Sequence, residues 1–131
     1  MAAVEFALVS LVMFTWIFGM TEVARAYWTY QIIQEVAIQG ARCMGILSNS
    51  CAAGGAYSAD SARTFMVGLA ANLGLTLPST DINPARPTAC ANTQGFSSVT
   101  INYQFNTNVP VLIPSLSTVM LTASSCYFNT K

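Results

Sequence analysis

A chain of 131 residues has room for one modest domain, and its composition limits what that domain does. Only 8% of the residues are charged, 53% are hydrophobic, and the formal net charge is zero. Nucleic-acid binding through a cationic surface is therefore excluded. A monomer this apolar is expected to place much of its surface against lipid or against other subunits.

The first predicted element is an apolar helix at the N-terminus. Residues 6–21 contain no charged side chain. About twenty such residues cross the hydrocarbon core of a bilayer, so residues 1–21 are predicted to be transmembrane. Glu5 lies inside this segment, where a carboxylate is costly and indicates a function. The simplest function is the neutralisation of an amine from a neighbouring copy.

The beginning of the chain allows two interpretations. No positively charged leader precedes the apolar run, and no small-residue cleavage site follows it, so an ordinary secretory signal is not expected. Met1 is then either the initiator of a signal-anchored protein or the first residue of a processed chain. The second interpretation is favoured, because acids are rare inside ordinary membrane anchors, so an acid at the fifth position would be an unusual coincidence in a signal-anchored protein.

The helix is predicted to continue to about Leu47, since no proline interrupts residues 1–47. Beyond Glu22 one apolar stripe is expected to cover the chain's own head; it consists of Ala26, Tyr30, Ile33, Ala37, Gly40 and Met44. Apolar residues on other faces are expected to be buried by other subunits; these are Tyr27, Trp28, Ile32 and Val36. Glu22 and Arg25, three residues apart, are predicted to pair.

The second half of the chain is predicted to be a small α+β head, residues 48–131. Residues 48–57 are expected to form a loop, and a second helix follows, with Ser58 as its N-cap and Gly74 just past its end. Its apolar face is predicted to be Ala62, Phe65, Met66, Leu69 and Leu73.

Two antiparallel strands are predicted to complete the head. The three prolines of Pro78–Gly95 predict mostly loop there. Alternation in Ser97–Asn106 predicts a half-buried strand. Val109–Leu116 is an apolar connection, and Thr118–Phe128 is the partner strand.

The four cysteines predict two disulfide bonds in an oxidising compartment. They form no CxxC pair, and the chain has no histidine, so zinc binding is not expected. Four cysteines permit three pairings. The favoured pairing joins Cys43 to Cys51, which closes a short loop, and Cys90 to Cys126, which ties the last strand to the preceding linker.

No catalytic chemistry is predicted. Without histidine, a Ser-His-Asp or Cys-His site cannot be built, and the only acids outside the long helix are Asp60 and Asp81. No phosphate-binding glycine loop follows a strand. The chain is therefore expected not to be an enzyme and to need no cofactor or metal.

The N-terminal sequence resembles the type IV pilin superfamily, and most closely its TadE-like, tight-adherence branch. The run Ala2-Ala3-Val4-Glu5-Phe6-Ala7-Leu8-Val9 carries the resemblance. It continues at Gly19, Glu22, Arg25, Tyr30, Gln34, Ala37 and Gly40-Ala41-Arg42. The likeness covers residues 1–47; beyond them, only Val99–Phe105 and Val119–Ala123 resemble the family's paired strands. Ser10-Leu11 differs from many relatives, which have a proline nearby.

The resemblance implies a processed pilin that polymerises into an extracellular filament for adhesion. The implied partners are further copies of the chain, a prepilin peptidase, a platform protein and a motor ATPase, with a secretin where an outer membrane exists. The implied location is the bacterial inner membrane before assembly and the cell-surface pilus afterwards. The alternatives are a minor pilin that primes or caps a filament, and a monomeric membrane-anchored domain.

Ten residues are predicted to serve assembly. Ala3 and Ala7 are small and would allow close helix approach, while Glu5 would pair with an amine. The complete set is Met1, Ala3, Glu5, Ala7, Glu22, Arg25, Tyr27, Trp28, Ile32 and Val36.

Overall fold

The computed structural model describes residues 2–107 and 118–130 and has the predicted α+β fold. Two helices, α1 and α2, two short strands, β1 and β2, and a sheet of three long strands, β3 to β5, follow one another along the chain. Their bounds are α1 Ala2–Gly45, β1 Ala52–Ala53, β2 Ala56–Tyr57, α2 Ala59–Asn72, β3 Ile82–Cys90, β4 Thr93–Asn106 and β5 Thr118–Phe128. A 3-10 turn, Ser79–Asp81, precedes β3. Met1 and the predicted connection Val109–Leu116 lie outside the described residues.

The long helix α1 has 44 residues, which corresponds to about 66 Å at 1.5 Å per residue. It ends at Gly45, two residues before the predicted end. Leu47 has a positive φ of 53°, and the Ser48 amide donates to the Cys43 carbonyl, so the chain turns away there. Only the C-terminal half of α1 takes part in the core of the head.

The three long strands form an antiparallel sheet in the order β3-β4-β5. Alternate residues of the central strand β4 are buried, as the sequence predicted: Val99 and Ile101 are fully buried, and Phe105 nearly so. Val99 and Ile101 pack with Ile33 and Met44 of α1 and with α2 in one core. The register opposes Ile101 to Ala123, another buried residue. Strand β5 has the predicted bounds, whereas β4 begins four residues earlier than predicted.

The second helix, α2, begins and ends as the sequence predicted. The Ser58 hydroxyl oxygen accepts a hydrogen bond from the Ser61 amide at the N-cap. At the other end Gly74 has a φ of +83°, and the Leu75 amide donates to the Ala70 carbonyl, as in a Schellman motif. The buried face is narrower than predicted, because Leu73 is the C-cap and remains exposed.

The prediction that Pro78–Gly95 is mostly loop is wrong, since β3 occupies Ile82–Cys90 and pairs with β4. Proline lacks an amide donor and is tolerated where a strand lies at the edge of a sheet. Pro84 and Pro87 lie in such an edge strand, and the register shifts between Ala85 and Thr88. The predicted loop 48–57 also contains a small hairpin, β1–β2, whose turn residues Gly54 and Gly55 both have positive φ.

The head covers a broader sector of α1 than one stripe, which corrects the assignment of two assembly residues. Val36 is completely buried in its own head, and Ile32 is partly buried against the same core. Both had been predicted to contact other subunits. The reason is that α2 and the sheet together cover more than one line of residues along α1, so residues one position from the central stripe are also covered. Tyr30, predicted to lie under the head, is 38% exposed.

Two disulfide bonds join the pairs favoured from the sequence. Cys43–Cys51 links the end of α1 to β1, and Cys90–Cys126 links the edge strand β3 to β5 across the sheet. Among the described residues no cysteine is free. A head with so small a core gains from such crosslinks.

Candidate functional site: the exposed faces of the long helix

The N-terminal half of α1 stands clear of the head. From Ala3 to Thr21 every described side chain is exposed except Ser10, which is intermediate. Within the described residues, α1 is the helix that is long and apolar enough to cross a membrane. This segment therefore has the length and character of a membrane anchor.

Three hydroxyl groups in this apolar segment are satisfied by the helix itself. Ser10 donates to the Ala7 carbonyl at 3.0 Å, Thr15 to Leu11 at 2.8 Å, and Thr21 to Phe18 at 2.9 Å. A polar group placed in hydrocarbon needs such a partner. These residues therefore do not compromise the segment's compatibility with lipid or with an apolar filament core.

Glu5 differs from these hydroxyl groups, because it is the only charged residue of the apolar segment and lies exposed on its surface. Within the described residues its carboxylate has no ion-pair partner. Ala3 and Ala7 are also exposed, one turn apart and next to it. The structure thus leaves a carboxylate and two small side chains available to a neighbouring molecule.

The head meets α1 at an ion pair that the sequence predicted. Arg25 Nη1 lies 2.7 Å from Glu22 Oε1. The side chain of Glu22 is only 17% exposed, because Thr107, just after β4, donates a hydrogen bond to its other oxygen at 3.1 Å. The Arg25 guanidinium lies 5.7 Å from the ring centroid of Phe105. The pair therefore joins α1 to the end of the head that lies nearest the N-terminal half of the helix.

Thr107 and Phe105 are functional partners that sequence reasoning missed. Phe105 had been predicted only as a strand residue, and Thr107 had no predicted role. No local spacing relates residue 22 to residue 107, since the contact arises from the packing of β4 along α1. A signal was present only in the pattern of β4, whose inward-facing positions continue to Phe105.

Two glycines allow α1 to lie directly against the head. A Cβ atom at Gly40 would overlap the Met66 sulfur and lie 3.4 Å from Val99, and one at Gly45 would overlap the Tyr127 ring. Gly45 also accepts a hydrogen bond from the Thr130 amide at 3.1 Å. These contacts pack the C-terminal end of α1 closely against the head, and the exposed segment continues from it as the same helix.

The remaining predicted assembly residues fall into two groups. Tyr27 and Trp28 are largely exposed, 64% and 70%, and lie just beyond the apolar segment. They extend the exposed apolar surface beyond the Glu22–Arg25 pair. Ile32 and Val36 belong to the head, as described above.

The head itself offers little chemistry. Within the described residues, no group of three histidine, cysteine, aspartate or glutamate side chains could hold a metal ion. Burial raises the pKa of the Tyr57 phenol above its usual value near 10, and the positive charges of Arg63 and Arg86 partly oppose this effect. The Tyr57 hydroxyl has no hydrogen-bond partner among the described residues. An open, hydroxyl- and amide-rich groove on α2 is lined by Ser61, Thr64 and Asn72, among others.

The described residues thus combine a long helix, exposed and apolar in its N-terminal half, with a small disulfide-bonded head that its C-terminal half completes, as expected of a pilin-like fold. Comparison with protein families agrees: the model described as TadE-like protein matches residues 1–42, about a third of the chain. Over this segment the chain is similar to the TadE-like family, which confirms the resemblance drawn from its sequence. Searches of curated proteins and of solved structures give no match.

Proposed function

We propose that this protein is a structural pilin subunit that polymerises into an extracellular Tad-like, type IV pilus used for adhesion. The observation that supports this most is the shape and surface of α1. One continuous helix has an exposed apolar half with a single exposed carboxylate and a half that is packed in a head. A subunit of this kind lies in the membrane before assembly and in the filament core afterwards.

Polymerisation replaces lipid with protein around the lower half of α1. Each subunit presents many large apolar side chains there, all exposed in the monomer, for example Phe6, Leu11 and Phe14. Parallel packing with other copies covers these side chains once the subunit leaves the bilayer. Heterologous contacts that do not close into a ring give an open fibre.

Glu5 is proposed to select the docking position. In a water-poor filament core an unpaired carboxylate costs several kcal/mol, and the N-terminal amine of an adjacent copy is a cation that can remove this cost. A subunit that docks at the wrong height leaves Glu5 unpaired. The carboxylate therefore determines register more than it adds stability.

The proposed partners follow from this role. Further copies of the chain form the filament, while a prepilin peptidase, a platform protein and a motor ATPase process and extrude the subunits. A secretin is added where an outer membrane exists. The proposed role is not enzymatic, because it consists of packing and docking.

The test is to replace Glu5 in the full chain, expressed at its genomic level in its own host. Glu5→Leu and Glu5→Gln are expected to accumulate in the membrane but to reduce filaments in sheared surface fractions at least about tenfold, the equivalent of about 1.4 kcal/mol. Asp60→Asn is the matched control, because Asp60 is a carboxylate exposed on the head. Normal filaments from both Glu5 variants would contradict the role of Glu5.

Electron microscopy of the unaltered protein separates the main proposal from its alternatives. A major subunit is expected to dominate sheared filaments, and a minor pilin is expected at low abundance at their tips. A monomeric anchored domain is expected to stay in the membrane without any filament. The last result would refute the proposed function.

A further inference from the structure

The C-terminal half of α1 carries an exposed stripe on the side opposite its head. Its five members are spaced alternately three and four residues apart, and all of them are exposed: Trp28, Gln31, Glu35, Ile38 and Arg42. We call them the outer stripe. Because a helix repeats every 3.6 residues, positions with this spacing form a single line along its surface.

The outer stripe has the character of a contact surface. Ile38, at its middle, is 44% exposed, and Trp28, at its lower end, is 70% exposed. Both are large apolar side chains beyond the segment predicted to lie in the bilayer. Aromatic and apolar residues in such a row are a usual mark of helix association.

The two charges of the stripe are opposite in sign. Glu35 and Arg42 are the only charged residues between positions 26 and 47. Within the described residues neither forms an ion pair; the Glu35 carboxylate accepts a hydrogen bond from Gln39 at 2.9 Å. Seven residues separate them, about 10 Å along the axis, which is too far for a direct contact within one helix.

We propose that the outer stripe is an interface between copies of this chain, in which Glu35 of one copy pairs with Arg42 of another. The stripe is complementary to itself, since it presents one carboxylate and one guanidinium on either side of the apolar Ile38. This inference rests on the proposed function and adds to it a second, head-level contact that fixes the vertical offset of neighbouring subunits.

The membrane anchor determines how the copies are oriented. All copies insert the same N-terminal segment into one bilayer, so their helices run parallel. In parallel helices Glu35 and Arg42 are level only when one copy is displaced by about 10 Å along the axis, the length of seven helical residues. The ion pair therefore favours staggered neighbours and disfavours neighbours in register, where Glu35 would lie level with Glu35.

Charge reversal in the full chain tests the pairing. Glu35→Arg and Arg42→Glu, each alone, are expected to reduce sheared filaments about tenfold or more, because like charges then meet across the interface. The double variant Glu35→Arg/Arg42→Glu restores opposite charges and is expected to recover filaments to within about threefold of the unaltered protein. Raised salt should narrow the differences between variants, because exposed pairs are screened.

The matched control is the double variant Asp60→Arg/Arg63→Asp, which exchanges the charges of an ion pair within one head. It is expected to assemble normally. Thermal unfolding of each variant in detergent checks that the head is intact, since Glu35 and Arg42 are both exposed. A double variant that assembles no better than the single ones, with intact heads, would overturn the inference.

Crosslinking gives a second, independent measurement. A Glu–Arg pair holds two backbones further apart than a disulfide allows, so a bismaleimide is the suitable reagent. Filaments assembled from a mixture of Gln31→Cys copies and Ile38→Cys copies keep Glu35 and Arg42, and these two positions are also seven residues apart in the outer stripe. They are expected to yield mainly 31–38 heterodimers, identified by peptide mass. Yields of 31–31 and 38–38 links equal to those of 31–38 links would contradict a staggered pairing.

The two proposals fail in different ways. If the unaltered protein forms no filament, the proposed function is refuted. If it forms filaments and the single charge reversals assemble as well as the unaltered protein, only the outer-stripe interface is refuted.

Discussion

The two halves of α1 are one continuous helix, yet they occupy opposite environments. In the C-terminal half, Ile33, Val36 and Ala37 are completely buried by the head. In the N-terminal half, Val4, Val9 and Val12 are equally apolar and remain largely exposed. Hydropathy alone therefore does not tell which apolar residues a chain covers itself and which it leaves for lipid or for other copies.

The two halves differ in the spacing of their apolar residues and in the glycines that contact the head. The covered half has Gly40 and Gly45 where the head comes close, and its buried apolar residues follow two adjacent lines along the helix. The bare half is apolar around its whole circumference, as expected of a helix surrounded by lipid or by other helices. Equivalent substitutions in the two halves should thus have very different effects on the head.

The largest difference is expected from placing an acid in each half. Val36→Asp buries a carboxylate without a partner and should lower the free energy of unfolding of the head by about 4 kcal/mol or more. Val23→Asp makes the same change at a side chain that is 72% exposed and should change it by less than about 0.5 kcal/mol. Denaturant unfolding of the full chain in detergent, followed by near-ultraviolet circular dichroism, measures both.

The outcome at Val36 also tests the corrected assignment of this residue. Equal stability of the two variants would mean that Val36 is not enclosed by its own head. A Val36→Ala variant provides a milder measure that retains the fold, with an expected loss of about 1–3 kcal/mol from the cavity and lost transfer energy.

The two disulfide bonds should differ in the stability that they add to the head. Cys90–Cys126 spans 36 residues and Cys43–Cys51 spans eight. By loop-closure entropy, removal should cost about 4 kcal/mol for the first and about 2.5 kcal/mol for the second. The double variants Cys90→Ala/Cys126→Ala and Cys43→Ala/Cys51→Ala, compared by denaturant unfolding, test this order. The reverse order would show that packing around the buried Cys43 and Cys51 outweighs loop length.

Much of this architecture could be predicted from the sequence because its signals are local. The break-free helix, the Ser58 cap, Gly74 and the alternation in β4 each depend on a few neighbouring residues. The strand β3 could not be predicted, since its prolines are acceptable only at a sheet edge, and the order of strands is a property of the whole fold. For the same reason Val36 was assigned to the wrong surface: its burial depends on how far the head wraps around α1.

The candidate assembly surface was predicted in part. Glu5 and the Glu22–Arg25 pair follow from rare charges in an apolar helix, which stand out in the sequence. The contacts of Thr107 and Phe105 with that pair join residues about eighty positions apart. Tertiary packing creates them, so no pattern within α1 indicates them.

Replacing glycine by alanine should lower the stability of the head at a covered position and raise it at an open one. Gly40→Ala places a methyl group against the fully buried Met66 and should destabilise the head by about 1–3 kcal/mol. Gly68→Ala lies in α2 with no atom within 4 Å of its Cβ, so it should stabilise the head by about 0.5–1 kcal/mol through helix propensity. Unfolding midpoints measure both. A stabilising Gly40→Ala would mean that Met66 moves aside readily and that α1 is packed more loosely than the contacts indicate.

The smallest expected effect is on the pH dependence of stability, through the burial of Tyr57. Burial raises the pKa of the Tyr57 phenol above the unfolded value, with Arg63 and Arg86 partly opposing the shift. The folded chain therefore holds this proton more tightly than the unfolded chain does. The resulting contribution to stability is fully present below about pH 10, the unfolded pKa of tyrosine, and is lost as the pH rises through the folded pKa.

Tyr57→Phe should consequently lose less stability between pH 9 and pH 11, in the range around that unfolded pKa, than the unaltered protein does. Tyr27→Phe, which removes an exposed phenol from α1, controls for loss of a hydroxyl group. Identical alkaline slopes for Tyr57→Phe and the unaltered protein would show that the phenol titrates alike in the folded and unfolded chains.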